Sequence, residues 1–259
     1  MKHTFYKYQG TGNDFVMIDN RLSLFDTKDT ALIAHLCNRR MGVGADGLIL
    51  LESHPNYDFK MLYFNSDGHE STMCGNGGRC IVAFANFLGL IKRDAHFLAI
   101  DGPHLAVYDK GYVELKMQDV SVVSTKEDHF TLNTGSPHYV ALKSNLETID
   151  MASEGAAVRQ SALFKARGVN VNFAKKISDD TFAMRTYERG VEAETLSCGT
   201  GATAVAIAMF HSSQSVSKVI KLKTRGGDLE VRFEPHSASY ADIWLCGPAV
   251  QVFKAALVW

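Results

Sequence analysis

The sequence predicts an α+β fold of two similar halves, each a mixed or antiparallel, barrel-like sheet wrapped around a central helix. Three observations predict it. First, a motif occurs twice at a fixed offset. ESTMCGNGG runs from Glu70 to Gly78 and ETLSCGTGA from Glu194 to Ala202, which sets Cys74 and Cys198 198 − 74 = 124 residues apart. GNDFV, starting at Gly12, and SPHYV, starting at Ser136, repeat that offset of 136 − 12 = 124. Gly-rich turns are common, but two dissimilar motif pairs sharing one offset point to duplication. Second, each Cys-Gly motif precedes a segment that is apolar nearly all round, CIVAFANFL and TAVAIAMF, as a helix buried on every side should be. Third, the other apolar runs are short, β-branched or aromatic, and do not alternate regularly with helices. That argues against a doubly wound parallel sheet.

In the first half, Phe5–Tyr8 and Phe15–Asp19 read as strands, and Asp29–Asn38 as an amphipathic helix. Gly42-Val43-Gly44-Ala45-Asp46-Gly47 superficially resembles a dinucleotide-binding loop. A strand-like run and not a helix follows it, so it reads as an ordinary loop. Leu48–Leu51 and Phe59–Asn65 are strands, Cys80–Leu88 is the buried helix, and Phe97–Ile100, Leu105–Tyr108 and Tyr112–Met117 are strands between Gly, Pro and Asp turns. The second half repeats this: strands at Val140, Val169–Ala174 and Phe182–Tyr187, a helix over Thr203–Phe210, and strands over Val219–Thr224, Leu229–Phe233 and Tyr240–Leu245. The halves are read as residues 1–120 and 121–249, with a final strand over 250–259 completing the first.

Composition narrows the function. A chain of 259 residues, 46% hydrophobic and 21% charged, can bury a sizeable core. A formal net charge of −1 without a basic stripe disfavours nucleic acid. No apolar run reaches the length of a membrane span. The start, MKHTFYKYQGTGNDF, lacks the apolar stretch of a leader, so a cytoplasmic location is expected. The five cysteines, Cys37, Cys74, Cys80, Cys198 and Cys246, are too few for a disulfide scaffold. The spacing of Cys74 and Cys80 fits no common zinc pattern, so no metal site is expected, and a phosphate loop lacks its Gly-Lys-Ser/Thr ending. Cys37, Cys80 and Cys246 read as small buried hydrophobes.

The Cys-Gly motifs carry the chemistry. Each cysteine lies between a strand-like segment and the start of a buried helix. Glycines at 75, 77 and 78, and at 199 and 201, bare the backbone. Unpaired N–H groups at a helix start bind anions, and the same helix end favours the thiolate of a cysteine placed on it. Two such units could hold a small acid with a sulfur on either side. That suits removal of a proton from one face of a carbon and its return to the other, with N–H groups stabilising the carbanion's charge on the carboxylate.

The sequence resembles the diaminopimelate epimerase family over its whole length. The matching motifs are GTGNDFVMID from Gly10, Arg40–Leu50, FNSDGHE from Phe64, CGNGGRC from Cys74, Pro137-His138, VNVNF from Val169, YERG from Tyr187, Glu194–Ala202 and the terminal GPAVQVF. The resemblance implies an isomerase without pyridoxal phosphate, metal or nucleotide, with its active site in the cleft between the halves. It implies a homodimer acting on a small molecule, without nucleic acid or membrane partners. Cys74 and Cys198 would be the two bases that interconvert LL- and meso-diaminopimelate. Gly75-Asn76 and Gly199-Thr200 would hold the reacting carboxylate, and His138 and Glu188 would tune the thiols. Arg189 would grip the distal carboxylate, with Glu188, Asn13, Asn65 and Asn170 completing substrate binding. The chain departs from the family at Ser136, where Asn is usual, at Gly47, where many members carry Gln, and by an inserted residue between Gly190 and Thr195. These departures keep open a racemase of another amino acid, such as histidine. A non-catalytic binder of small acids is the reading from a different class.

Overall fold

The computed structural model describes residues 2–237 and 239–258. It divides into one unit of Met1–Leu115 with Gly247–Trp259, and a second of Lys116–Cys246.

The first unit contains β1 (Lys2–Gly10), β2 (Asn13–Asp19), α1 (Thr30–Cys37), β3 (Gly47–Glu52), β4 (Phe59–Asn65), α2 (Gly75–Phe87), β5 (Asp94–Ala99), β6 (Gly102–Asp109) and β7 (Tyr112–Lys116). The second contains β8 (Val123–Thr125), β9 (Phe130–Asn133), β10 (Pro137–Leu142), α3 (Met151–Arg159), β11 (Asn170–Lys176), β12 (Thr181–Glu188), β13 (Ala193–Thr195), α4 (Gly199–His211), β14 (Val219–Thr224), β15 (Gly227–His236) and β16 (Ser239–Pro248). The chain ends in β17 (Val250–Val258), which pairs antiparallel with β1.

Strands of the first unit follow the order β17, β1, β2, β3, β4, β5, β6, β7, with β2–β3 and β4–β5 parallel and the other pairs antiparallel. In the second unit the order is β8, β9, β10, β11, β12, β14, β15, β16, again with two parallel pairs, β10–β11 and β12–β14. The duplication reaches the register. Phe15 opposes Gly47 in one unit and Tyr139 opposes Val171 in the other, so both partners move by the offset that separates the cysteines. Each sheet wraps a central 13-residue helix. α2 packs on β1, β2, β3, β4, β6 and β17, and α4 on β9, β10, β11, β12, β14 and β15.

β3 shows why its sequence, GLILLE, is a continuous apolar run. Leu48 and Leu50 join an outer cluster with Ile33 and Leu36 of α1, while Ile49 lies on the other face, close to Gly77 of α2. Alternating side chains are buried on both faces, so no polar residue marks the period of two. α1 is capped where the sequence predicts its start, the Asp29 carboxylate accepting from the Leu32 N–H.

The structure corrects several expectations. Both central helices begin earlier than expected, at Gly75 and Gly199 instead of Cys80 and Thr203, so the glycines form the first helical turn and not a loop. Their poor helix propensity is overridden by packing: a Cβ on Gly77 would press on Ile49, Met61 and Phe15. Strand character at Val140 extends to all of β10, with Pro137 at its first position, where no ladder donor is lost. The sequence reading holds no counterpart of α3, β8, β9 or β13. α3 buries only Met151 and Gly155, too little for a periodic apolar stripe, and is started by Asp150 accepting from the Ala152 and Ser153 N–H groups.

Candidate active site

In the first unit, β1 and β2 are joined by Thr11 and Gly12, whose φ values of 50° and 86° mark a tight turn of the left-handed hairpin kind. That turn delivers Asn13 to the start of α2. Cys74 is the N-cap of α2, and its Sγ lies 3.5 Å from Asn13 Oδ1. The amide orientations follow from partners with one possible role. Asn13 Nδ2 donates to the Asp46 carboxylate at 2.6 Å, so Oδ1 faces Cys74. Asn76 Oδ1 accepts from the Arg79 guanidinium at 3.0 Å, and its Nδ2 donates to Asn13 Oδ1 at 3.3 Å. Fully buried Arg79 also donates to Thr11 Oγ1 and the Gly75 carbonyl. Asp46 is held by Arg39, which also pairs with Asp14, as does Lys7. Burial would raise the Asp14 carboxyl, but hydrogen bonds from Arg39 and Lys7 prevail and hold it down to about 2. Asn65 ends β4, exposed, with its backbone engaged in a turn with Gly68 and His69.

In the second unit, Cys198 is the N-cap of α4, and its Sγ lies 3.5 Å from Thr200 Oγ1. The Thr200 carbonyl accepts from Thr134 Oγ1 at 2.9 Å. The first intrahelical bonds in the two helices are equivalent, Gly78 N–H to the Cys74 carbonyl at 2.7 Å and Ala202 N–H to the Cys198 carbonyl at 2.8 Å. Neither cysteine side chain caps its helix.

In the same unit the strands bring together Asn170, Arg189 and Ser136, and His138 lies in the same sheet. Asn170 Nδ2 donates to Ser136 Oγ at 2.9 Å, and its Oδ1 accepts the Arg189 backbone N–H at 2.9 Å. The Arg189 guanidinium reaches the Arg167 carbonyl at 3.2 Å and Ser136 Oγ at 3.4 Å. No carboxylate among the described residues pairs with it, whereas neighbouring Arg159 pairs with Glu192, and Arg185 and Arg225 share Glu194. Glu194, part of the second motif, is therefore spent on anchoring β13. Glu188 ends β12, half-buried, directly before Arg189. The chain then turns through Gly190 and Glu192, with φ values of 89° and 55°.

His138 is fully buried. Burial, aided by the Arg189 charge, pushes its pKa down to about 3, so the ring is neutral at physiological pH. Asn172 was not among the residues singled out from the sequence. It is fully buried and bridges His138 Nδ1, the Tyr139 carbonyl and Thr186 Oγ1. In VNVNF it reads as one more polar residue of an alternating strand, and only burial distinguishes it. Arg79 is hidden in the same way, as a charged residue with no carboxylate in its motif CGNGGRC.

Cys37, Cys80 and Cys246 are buried, and burial pushes the Cys37 and Cys80 thiols up to about 12, so both stay protonated. Among the described residues, no group of three or more His, Cys, Asp or Glu is placed to hold a metal ion, and no helix is long and apolar enough to cross a membrane.

Comparison with known proteins identifies the family. The family profile described as Diaminopimelate epimerase matches residues 5–122 and 130–251. A diaminopimelate epimerase of Flavobacterium psychrophilum is 53% identical over 253 residues, covering 97% of this chain and 99% of that protein. One of Chlorobaculum tepidum is 40% identical over 258 residues, covering 96% and 98%. Among solved structures, a Bacillus anthracis phenazine biosynthesis protein of the PhzF family superposes over 100% of both chains with a TM-score of 0.75 at 14% identity. A probable proline racemase of Agrobacterium radiobacter does so with a TM-score of 0.65 at 15% identity, over 98% of this chain and 92% of that one. At such identities these two likenesses show the fold. The matched profile and the full-length relatives place the chain in the diaminopimelate epimerase family.

Proposed function

We propose that the protein interconverts LL- and meso-diaminopimelate without a cofactor, using Cys74 and Cys198 as its two bases. One sulfur, as thiolate, takes the α-proton. The C–H electron pair passes into the carbanion and onto the adjacent carboxylate. The other sulfur, as thiol, returns a proton to the opposite face, and the two sulfurs exchange protonation states. The observation that carries this reading is the thiol built twice, each at the N-cap of the central helix of its unit. A helix N-terminus favours both a thiolate and a bound carboxylate. The N–H groups of Gly75-Asn76 and Gly199-Thr200 would take the reacting carboxylate. Arg189, which no protein carboxylate neutralises among the described residues, would take the distal one, with Asn170 and Ser136 fixing its position. Neutral His138 would act on the Cys198 side through a hydrogen bond and not through charge.

The test is a reaction in deuterium oxide. Product formed from LL-diaminopimelate should carry deuterium at one α-carbon, while recovered substrate carries little. Cys74→Ser and Cys198→Ser should each lose turnover by on the order of a hundredfold or more, because a serine hydroxyl is a far weaker base. Normal turnover in either variant would defeat the two-base mechanism, and a protein that only binds acids would exchange nothing. A panel of diaminopimelate, histidine, proline and glutamate separates this substrate from those of other racemases.

The homodimer expected from the resemblance is supported by the exposed apolar residues Val250, Val252, Phe253, Leu257 and Val258 of β17. The same reading puts the enzyme in the cytoplasm, where thiols stay reduced.

A further inference from the structure

We propose that Asn172 is a positioning residue that fixes His138 with its proton on Nε2, so that the ring presents a buried N–H donor to a carboxylate oxygen of the bound substrate. The argument starts from the amide. Asn172 Nδ2 lies 3.0 Å from the Tyr139 carbonyl and 3.3 Å from the Asn170 carbonyl. Both are acceptors only, so the nitrogen of the amide must face them. Its Oδ1 then takes the Thr186 hydroxyl at 2.9 Å. The same Nδ2 lies 3.0 Å from His138 Nδ1, and an amide nitrogen can only donate; of its two hydrogens one goes to the Tyr139 carbonyl and the other to Nδ1, the Asn170 carbonyl being the longest of the three contacts. His138 Nδ1 is therefore the acceptor, and in the neutral ring the proton resides on Nε2.

That Nε2 is buried and has no hydrogen-bond partner among the described residues. A buried donor left unsatisfied is rare in folded proteins and needs an acceptor, a water or a ligand. The amide responsible is held against the helix that bears Cys198. A Cβ on Gly201, in the first turn of α4, would overlap Asn172 Oδ1 and come within 3.3 Å of Cys198 Sγ. Strand β11 thus carries the amide, β10 the ring, and α4 the thiol, with no atom to spare among them. An acidic substrate brought to this helix end supplies the missing acceptor. The opposite tautomer would offer a lone pair there and repel it.

The inference rests on the proposed epimerase reading for its ligand, but the tautomer can be measured without turnover. Nitrogen-15 NMR of histidine-labelled protein at neutral pH should show His138 with Nδ1 unprotonated and Nε2 protonated. Saturating diaminopimelate, supplied as its equilibrium mixture of isomers, should move the Nε2–H proton downfield and slow its exchange with water. In Asn172→Asp the new carboxylate oxygen can only accept, so Nδ1 should become protonated, a change that mere loss of packing would not cause. Asn172→Asp and Asn172→Val should both lower kcat, on the order of tenfold or more, with a smaller change in KM. A proton on Nδ1 of the unaltered protein, an Nε2–H signal indifferent to substrate, or full kcat in both variants would each overturn the proposal. Absence of α-proton exchange in the unaltered enzyme would instead sink the epimerase reading and leave the tautomer result standing.

Discussion

His138 works as a neutral ring, and that has a consequence for stability. Its pKa is about 3 in the native protein, against an ordinary value of 6.5. Between those limits the unfolded chain binds a proton that the folded one excludes. Stability is therefore complete above the ordinary value and falls as pH drops toward the native one, at about 1.4 kcal/mol per pH unit. Asp14 adds to the loss further down, between 3.8 and about 2, because its native carboxylate must be protonated. Urea midpoints should show the protein losing about 2 kcal/mol between pH 7 and pH 5, and His138→Gln losing less over that interval. Equal losses in both would contradict a buried neutral ring. At Arg189 the expected effect is on binding. Lysine lacks the planar fork, so Arg189→Lys should raise KM for diaminopimelate on the order of tenfold while kcat changes less, as initial rates would show. Cys74 and Cys198 stand out in the sequence because a repeated motif carries them, and Arg189 because of the resemblance. Asn172 and Arg79 do not, because what sets them apart is the burial of a polar group, and burial is created by strands distant in sequence.

At the level of elements, the two central helices were visible as apolar segments, but their first turns were hidden by glycine. Glycine weakens an isolated helix, so the sequence places these residues outside. Packing reverses this, because the first turn of each helix must pass close to a neighbouring strand. The two glycines at equivalent positions differ in what they meet, and this yields a prediction. A methyl group on Gly201 collides with the Asn172 amide, which the His138 ring, the Tyr139 carbonyl and the Thr186 hydroxyl hold in place. One on Gly77 meets the end of the Ile49 side chain at 3.0 Å, which can rotate away. Gly201→Ala should cost on the order of 1–3 kcal/mol by urea unfolding and most of the turnover, and Gly77→Ala clearly less of both. The reverse order would mean that the amide is not the fixed wall of the site. α3 was illegible for the opposite reason. It lies on its sheet through Met151 and Gly155, Gly155 sitting against Tyr187, and its other residues form no stripe.

The constant offset between motifs carries the duplication of the whole molecule. Periodicity marks strands but does not name their partners, so the two parallel pairs in each unit were out of reach. The chain's end illustrates how a distant partner matters. Two copies of a 124-residue unit leave a short tail, and that tail is β17, antiparallel to β1 from Lys2 opposite Val258 to Gln9 opposite Val250. The ladder is reinforced by side chains. Phe253 meets Phe5 edge-on at 6.1 Å between ring centroids, and Lys254 lies over the Tyr6 ring at 5.4 Å. β1 in turn touches the helix that bears Cys74, with Tyr6 and Tyr8 against Phe84 at 4.9 and 5.7 Å. Ending the chain after Ala249 should therefore loosen β1, and α2 both through β1 and through its own contact with β17. Hydrogen exchange should accelerate in β1, β2 and α2 by on the order of tenfold or more, while α4 keeps its protection, because local stability follows local packing. Turnover should fall as the Cys74 side loses its shape, although Cys198 is untouched. If the truncated protein exchanged equally fast in α2 and α4, or not faster at all, β17 would be a decoration on the first unit and not the strand that completes it.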